Sequence, residues 1–126
     1  MRLSAAVITK DEERNIGECL RSLSFCDEVV VVDSGSTDRT AEIARSLGAA
    51  VHVRKFKDFS DQKNFAASQA LGEWVLSVDA DERVSEGLKK EILSALEDRK
   101  CGAYRDRKST RLNSSHAELS RMPSSA

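Results

Sequence analysis

Four consecutive valines, Val29 to Val32, lie between Glu28 and Asp33 and constrain this chain more than any other stretch. Side chains alternate between faces along a strand, so a run with no polar residue presents apolar groups on both sides. That suits an internal strand of a parallel sheet covered by helices. Such a strand needs neighbours, and apolar runs at Leu3–Thr9, Ala50–Val53 and Trp74–Val78 read as three more strands. Helical patterns separate them. Arg14–Leu23 places Ile16, Cys19, Leu20 and Leu23 at i, i+3, i+4 and i+7. Arg39–Leu47 has Thr37 or Asp38 as N-cap and Gly48 at C′, and Asp61–Leu71 has Ser60 or Asp61 as N-cap and Gly72 as its stop. A last helix begins at Ser85 and carries Leu88, Ile92, Ala95 and Leu96 on one stripe. This alternation predicts an α/β fold, with an open, mostly parallel sheet, flanking helices and right-handed crossovers.

In such sheets ligands sit beyond the carboxyl ends of the strands. Three of those ends carry strongly polar loops: "TKDEERN" from Thr9, "DSGSTD" from Asp33 and "DADE" from Asp79. In an extended segment Asp79 and Asp81 would share a face about 7 Å apart and repel by roughly 2 kcal/mol at an effective dielectric near 20. At an open surface that is a turn with two solvated acids; in a cleft it asks for a cation or a shifted pKa. The first loop lacks the glycines of a G-x-G-x-x-G dinucleotide site, and no G-x-x-x-x-G-K-[ST] phosphate loop is present. "DADERVSEGLKK" fails as a calcium loop, because Arg83, Val84 and Lys90 stand where an oxygen ligand, a glycine and a glutamate are required. A phosphohydrolase of the haloacid dehalogenase type stays open, with Asp79 as nucleophile and Asp81 as acid. Against it, Arg83 replaces the usual Thr or Val and the strand is the fourth. A non-catalytic interaction module is the third possibility.

The chain has 126 residues, 40% hydrophobic and 33% charged, which suits one domain with a modest core. A net charge of −1 gives no general attraction to nucleic acid. The short basic stretch Arg54, Lys55, Lys57 reads as a solvated edge. Cys19, Cys26 and Cys101 are odd in number and lack C-x-x-C spacing, so reduced thiols are expected, with neither disulfides nor a zinc site. No apolar run approaches the roughly 18 residues that span a bilayer, and the N-terminal apolar segment is too short for a signal peptide, which predicts a cytoplasmic location.

After Tyr104 the composition shifts. Residues 106–126 are rich in Ser and Arg with no apolar periodicity, which predicts a disordered tail. Asp106–His116 also resembles one reading frame of a common sequencing-library adapter, and Ser120–Ala126 its continuation. The tail is therefore expected to be non-native, leaving residues 1–105 as the genuine, truncated part.

Within those residues, "VITKDEERNIGECLRSL", "EVVVVDSGSTDRTAEIA" and "QKNFAASQALGEWVLSVDADE" occur in the order found in family-two glycosyltransferases with the GT-A fold, which residues 3 to about 97 resemble. "FSDQKNFA" with "WVLSVDADE" is most similar to the branch of lipopolysaccharide-core β-glucosyltransferases. The resemblance implies a Rossmann-like half that binds a UDP-sugar, with glucose as the sugar, and inverting transfer to a lipopolysaccharide-core or other cell-envelope glycan acceptor. It implies that Asp33 contacts the uracil ring, with Ser34 beside it, and that Thr9 and Glu12 belong to the loop around the nucleoside. Lys63 would lie near the diphosphate. Asp79, with Ala80 following, would meet the sugar-nucleotide, and Asp81, with Asp79, would ligate Mg²⁺ or Mn²⁺. Plainer roles stand beside these: Asp33 as a turn former, Glu12 and Glu13 as partners of a helix dipole, and Lys63 as an exposed helix lysine. No catalytic residue is assigned, since the base is expected in an absent C-terminal half, and the truncated chain is expected to bind donor without turnover. At most peripheral contact with the cytoplasmic face of the inner membrane is implied.

Overall fold

The computed structural model describes residues 3–100, 109–111 and 117–121. Expectations for Cys101 and for the remainder of the 106–126 tail fall outside the described residues. Six strands and four helices are present among them: β1 (Leu3–Thr9), α1 (Ile16–Ser22), β2 (Glu28–Asp33), α2 (Thr40–Ser46), β3 (Ala50–Val53), α3 (Phe59–Gln69), β4 (Trp74–Asp79), α4 (Glu86–Lys100), β5 (Ser109–Arg111) and β6 (Glu118–Arg121). They form one sheet in the order β3-β2-β1-β4-β6-β5. The pairings among β1, β2, β3 and β4 are parallel, while β6 pairs antiparallel with both β4 and β5.

The valine run behaves as its composition requires. Val30, Val31 and Val32 are all fully buried in β2, an internal strand. Val31 packs with Leu3, Ala5, Val7, Trp74 and Leu76 beneath α1, α2 and α4. Val30 and Val32 pack on the other face with Ala6, Val75 and Ala66 of α3. Handedness explains this division. The chain steps from β1 to β2 to β3 in one direction, then returns past β1 to β4, so right-handed crossovers put α3 on the face opposite α1 and α2. The reversal leaves a crevice between the carboxyl ends of β1 and β4.

Local signals hold at some helix ends and fail at others. Gly48 follows α2 at φ +89°, a left-handed conformation suited to glycine, and the Ser85 hydroxyl accepts from the Leu88 N–H at 3.1 Å. The expected cap of α3 is corrected: Asp58, outside Ser60 and Asp61, accepts from the Asp61 N–H at 2.7 Å, so the helix starts at Phe59. Arg39, not Thr37 or Asp38, occupies the N-cap position of α2, although the Asp38 carboxylate accepts the Thr40 N–H at 3.0 Å.

The expectation of disorder across residues 106–126 is also corrected at Ser109–Arg111 and Glu118–Arg121, which are strands. The outer edge of β4 offers unpaired backbone groups, and "AELS" alternates in register with it. Ala117 and Leu119 are fully buried while Glu118 and Ser120 are half-buried. No helix among the described residues is long and apolar enough to cross a membrane.

Candidate functional site

The tip of β4 is a turn. Asp79 ends the strand, and its carbonyl accepts from the Glu82 N–H at 2.9 Å. Asp79 and Asp81 are therefore not neighbours on an extended strand, as their spacing first suggests, but successive exposed groups around a bend. Helix α1 supports that bend. The Ser22 hydroxyl accepts from the Val84 N–H at 2.9 Å, and Arg83 pairs with Glu18 at 2.5 Å. Cys19 lies fully buried beneath it, its thiol 3.7 Å from the Asp79 carbonyl. Burial, followed by the charges of Glu82, Asp81, Asp79 and Glu12, pushes the Cys19 thiol up to about 12, so it remains a protonated packing group.

The loops after β1 and β2 are tied to each other. Lys10 Nζ donates to the Gly35 carbonyl at 2.9 Å, and the Asp11 N–H donates to the Ser36 hydroxyl at 2.7 Å. The Asp11 carboxylate accepts from the Thr37 N–H at 2.7 Å, and the Glu12 N–H donates to the Thr40 hydroxyl at 2.8 Å. Asp11 sits at φ +53°, in the left-handed region that Asp tolerates when its side chain bonds nearby backbone. "DSGSTDRT" thus shapes the first loop through Ser36, Thr37 and Thr40, a role the sequence reading did not assign.

Asp33 is the hub beneath this pair. It is 2% exposed and accepts four hydrogen bonds: from the Thr9 hydroxyl (2.7 Å), the Ser36 hydroxyl (2.5 Å), the Gly35 N–H (3.0 Å) and the Ser36 N–H (2.7 Å). Burial alone would raise its pKa. The Ser36 hydroxyl and amide, the Thr9 hydroxyl and the Gly35 amide outweigh it and hold the carboxyl below its ordinary value. Two acceptor positions on each oxygen are filled, so contact with a uracil ring would have to displace the Thr9 or Ser36 hydroxyl. The turn-forming role is the one seen.

Register explains the placement. Thr9 is opposite Asp33, whereas Ile8 is opposite Asp79. The Thr9–Asp33 pair accordingly projects toward the α1 and α2 face, and Asp79 toward the α3 face. On the α3 side a cleft of about 680 Å³ spans the strand ends, and Thr9, Glu12, Ser34, Asp79, Ala80 and Asp81 all line it. Six of the eight residues expected at a donor site are brought together.

Lys63 is not among them, because its ammonium lies 3.6 Å from Glu118 of β6. The lysines that do line the cleft are Lys10 and Lys55, with Ile8, Phe56 and Phe59. The solvated-edge reading of the basic stretch holds at Lys55 and Lys57, which are exposed, and is corrected at Arg54, which pairs with Asp61 at 2.7 Å; Lys55 also borders the cleft. Lysines interleaved with phenylalanines in a strand-to-helix link were the available signal. Among the described residues no group of three or more His, Cys, Asp or Glu could hold a metal ion. Asp79 and Asp81 fit a hard cation only as a partial oxygen set, to be completed by water and ligand oxygens.

Residues 4–125 match the family described as Glycosyl transferase family 2. An uncharacterized glycosyltransferase of Rickettsia typhi is 45% identical over 92 residues, covering 72% of this chain and 32% of the relative. The lipopolysaccharide core biosynthesis glycosyltransferase LpsC of Rhizobium meliloti is 40% identical over 101 residues, covering 74% and 37%. The chain spans about a third of the length of these curated relatives. Among solved structures, the Pyrobaculum calidifontis mannosyltransferase with GDP-Man and Mn²⁺ superposes with a TM-score of 0.73 at 22% identity, covering 95% of this chain and 44% of that one. Glucosyl-3-phosphoglycerate synthase of Mycobacterium tuberculosis, with Mn²⁺, UDP-glucose and phosphoglyceric acid, gives a TM-score of 0.53 at 27% identity, covering 65% and 35%. The sheet with its flanking helices is the GT-A arrangement of such glycosyltransferases.

Proposed function

The chain belongs to glycosyl transferase family 2, and from that premise we propose that residues 1–105 are the donor-binding part of an inverting, metal-dependent enzyme that transfers a sugar from a UDP-sugar, UDP-glucose in particular, to a lipopolysaccharide-core or other cell-envelope glycan. The enzyme would work in the cytoplasm, with at most peripheral contact at the inner membrane. One observation carries the reading: Asp79 and Asp81 line the same cleft as Thr9, Glu12 and Ser34, at the crevice where the sheet order reverses. The Mn²⁺ and UDP-glucose bound by the Mycobacterium tuberculosis synthase, and the core-assembly role in the name of LpsC, support donor, metal and acceptor class.

Asp81, with Asp79, would hold Mg²⁺ or Mn²⁺, and Asp79 would also meet the sugar-nucleotide. A bound divalent ion would counter the negative charge that the diphosphate gains as it leaves the sugar. Thr9 and Ser34 line the cleft between the carboxylates and the phenylalanines; the Thr9 hydroxyl is held by Asp33, and the Ser34 amide and hydroxyl by the Thr9 carbonyl. Lys10 and Lys55 add positive charge along the wall. Lys63 comes into play if residues 106–126 are foreign to the natural protein, because Glu118, its partner, then disappears. No group is assigned as the base that removes the acceptor proton.

Titration calorimetry of UDP into the protein tests this. Binding is expected in Mn²⁺, with affinity at least about tenfold lower in EDTA. Metal-independent binding, or hydrolysis of a phosphomonoester through an aspartyl phosphate at Asp79, would contradict it.

A further inference from the structure

The segment between β3 and α3 is anchored at both ends. The Arg54 N–H donates to the Asp33 carbonyl at 2.8 Å, while its guanidinium bonds Asp61 at 2.7 Å and lies 4.5 Å from the Phe65 ring centroid. Four residues on, Asp58 caps α3. Between and beside these anchors, Phe56 and Phe59 remain 42% and 72% exposed, although both line the cleft. Their rings meet edge to face, with centroids 5.2 Å apart and planes at 75°. Two held, solvent-facing aromatic rings on a cleft wall form a ready apolar surface for a planar ligand.

Strand order gives the ligand's direction. Across the carboxyl edge run the Phe56 segment after β3, then Ser34 after β2, Thr9 at the end of β1, and Asp79–Asp81 after β4. Three inter-strand spacings separate the ends, about 14 Å. A nucleoside diphosphate laid along this line, with its phosphates at the carboxylates, carries its base to the phenylalanines. We propose that Phe56 and Phe59 are the nucleobase wall of the donor site, holding the heterocycle by ring stacking and apolar contact. The assignment rests on the donor-binding reading above.

Titrating UDP and, separately, inorganic pyrophosphate in Mn²⁺ separates the two ideas. Pyrophosphate probes the carboxylate end without a base. In a Phe56→Ala/Phe59→Ala protein, UDP affinity is expected to fall about tenfold while pyrophosphate binding is unchanged, and Phe59→Tyr, which keeps the ring, should bind UDP like the parent. Both rings are exposed, so the thermal unfolding midpoint should move little. Unchanged UDP affinity in the double variant overturns the proposal and leaves the donor reading standing, as does equal weakening of both ligands. Loss of sedimentation with anionic vesicles at unchanged UDP affinity would overturn it in favour of membrane contact. If the parent binds neither UDP nor pyrophosphate, the donor reading fails and this wall with it.

Discussion

Asp81→Ala is expected to lower manganese-supported UDP affinity by about 100-fold or more, since even outer-shell partners of a metal ligand change affinity by about 10–100-fold when removed. The protein offers few oxygens at this site: among the described residues, no third His, Cys, Asp or Glu joins Asp79 and Asp81 in a metal-holding group. Each carboxylate would therefore carry a large share of the protein's hold on an ion. Folding should be little affected, because the side chain is exposed beyond the strand end. Asp81→Asn should recover only part of the affinity, since a neutral amide oxygen attracts a divalent cation less than a carboxylate does. Calorimetry on both variants reads the effect. Equal affinity of the alanine variant and the parent in Mn²⁺ would remove Asp81 from the site.

Asp33→Ala is expected to act on stability first, by about 3 kcal/mol, because hydrogen bonds to a charged acceptor contribute about 1.5–3 kcal/mol each and their losses do not add fully. Four donors converge on this carboxylate, and the substitution leaves the buried Thr9 hydroxyl without its acceptor. Against a total stability of about 5–15 kcal/mol for a domain, that is a large fraction. Urea unfolding measures it. The pH dependence has a definite sign. The native Asp33 carboxyl titrates below its ordinary value, so the unfolded state binds more protons as pH falls through the carboxylate range. The stability it confers is full above the unfolded pKa and is lost as pH falls through the folded one. The gap between parent and variant should be widest near neutrality and close in acid. A constant gap down to strong acid, or none at all, would mean that the four-donor hub does not hold in solution.

Asp33 and Asp79 also show what can be read from residues alone. Both follow an apolar run and both stand at a strand end, yet one lies on the cleft and the other behind it. The difference comes from pairing register, Thr9 opposite Asp33 but Ile8 opposite Asp79, and a one-residue offset moves a side chain to the other face. No local pattern encodes that offset. The strands themselves were legible because Val29–Val32, Leu3–Thr9 and Trp74–Val78 are apolar enough to admit no other placement in a covered sheet. The stripe of Leu88, Ile92 and Leu96 likewise marked the buried face of α4.

Contacts across long separations were not legible. Asp11 with Ser36 and Thr37, or Glu12 with Thr40, join residues about 25 apart and leave no periodic trace. Leu119 was missed for another reason: a four-residue alternation is too short to stand out from a Ser-rich tail. The acidic pair alone left a phosphohydrolase open, and it was the order of several weak motifs that pointed to the glycosyltransferase family.

A nucleotide and a divalent ion would meet at the carboxyl ends of β1, β2 and β4, with Asp79 and Asp81 on the ion. Backbone amide NMR with substoichiometric Mn²⁺ reads that position directly. With UDP present, broadening should be strongest at Asp79, Ala80, Asp81 and Glu82, weaker at Thr9, Lys10 and Ser34, and absent at Arg21, Leu47 and Gly48, which border a separate hollow away from these strand ends. Broadening centred elsewhere, or a pattern at Asp79–Glu82 that UDP leaves unchanged, would contradict it.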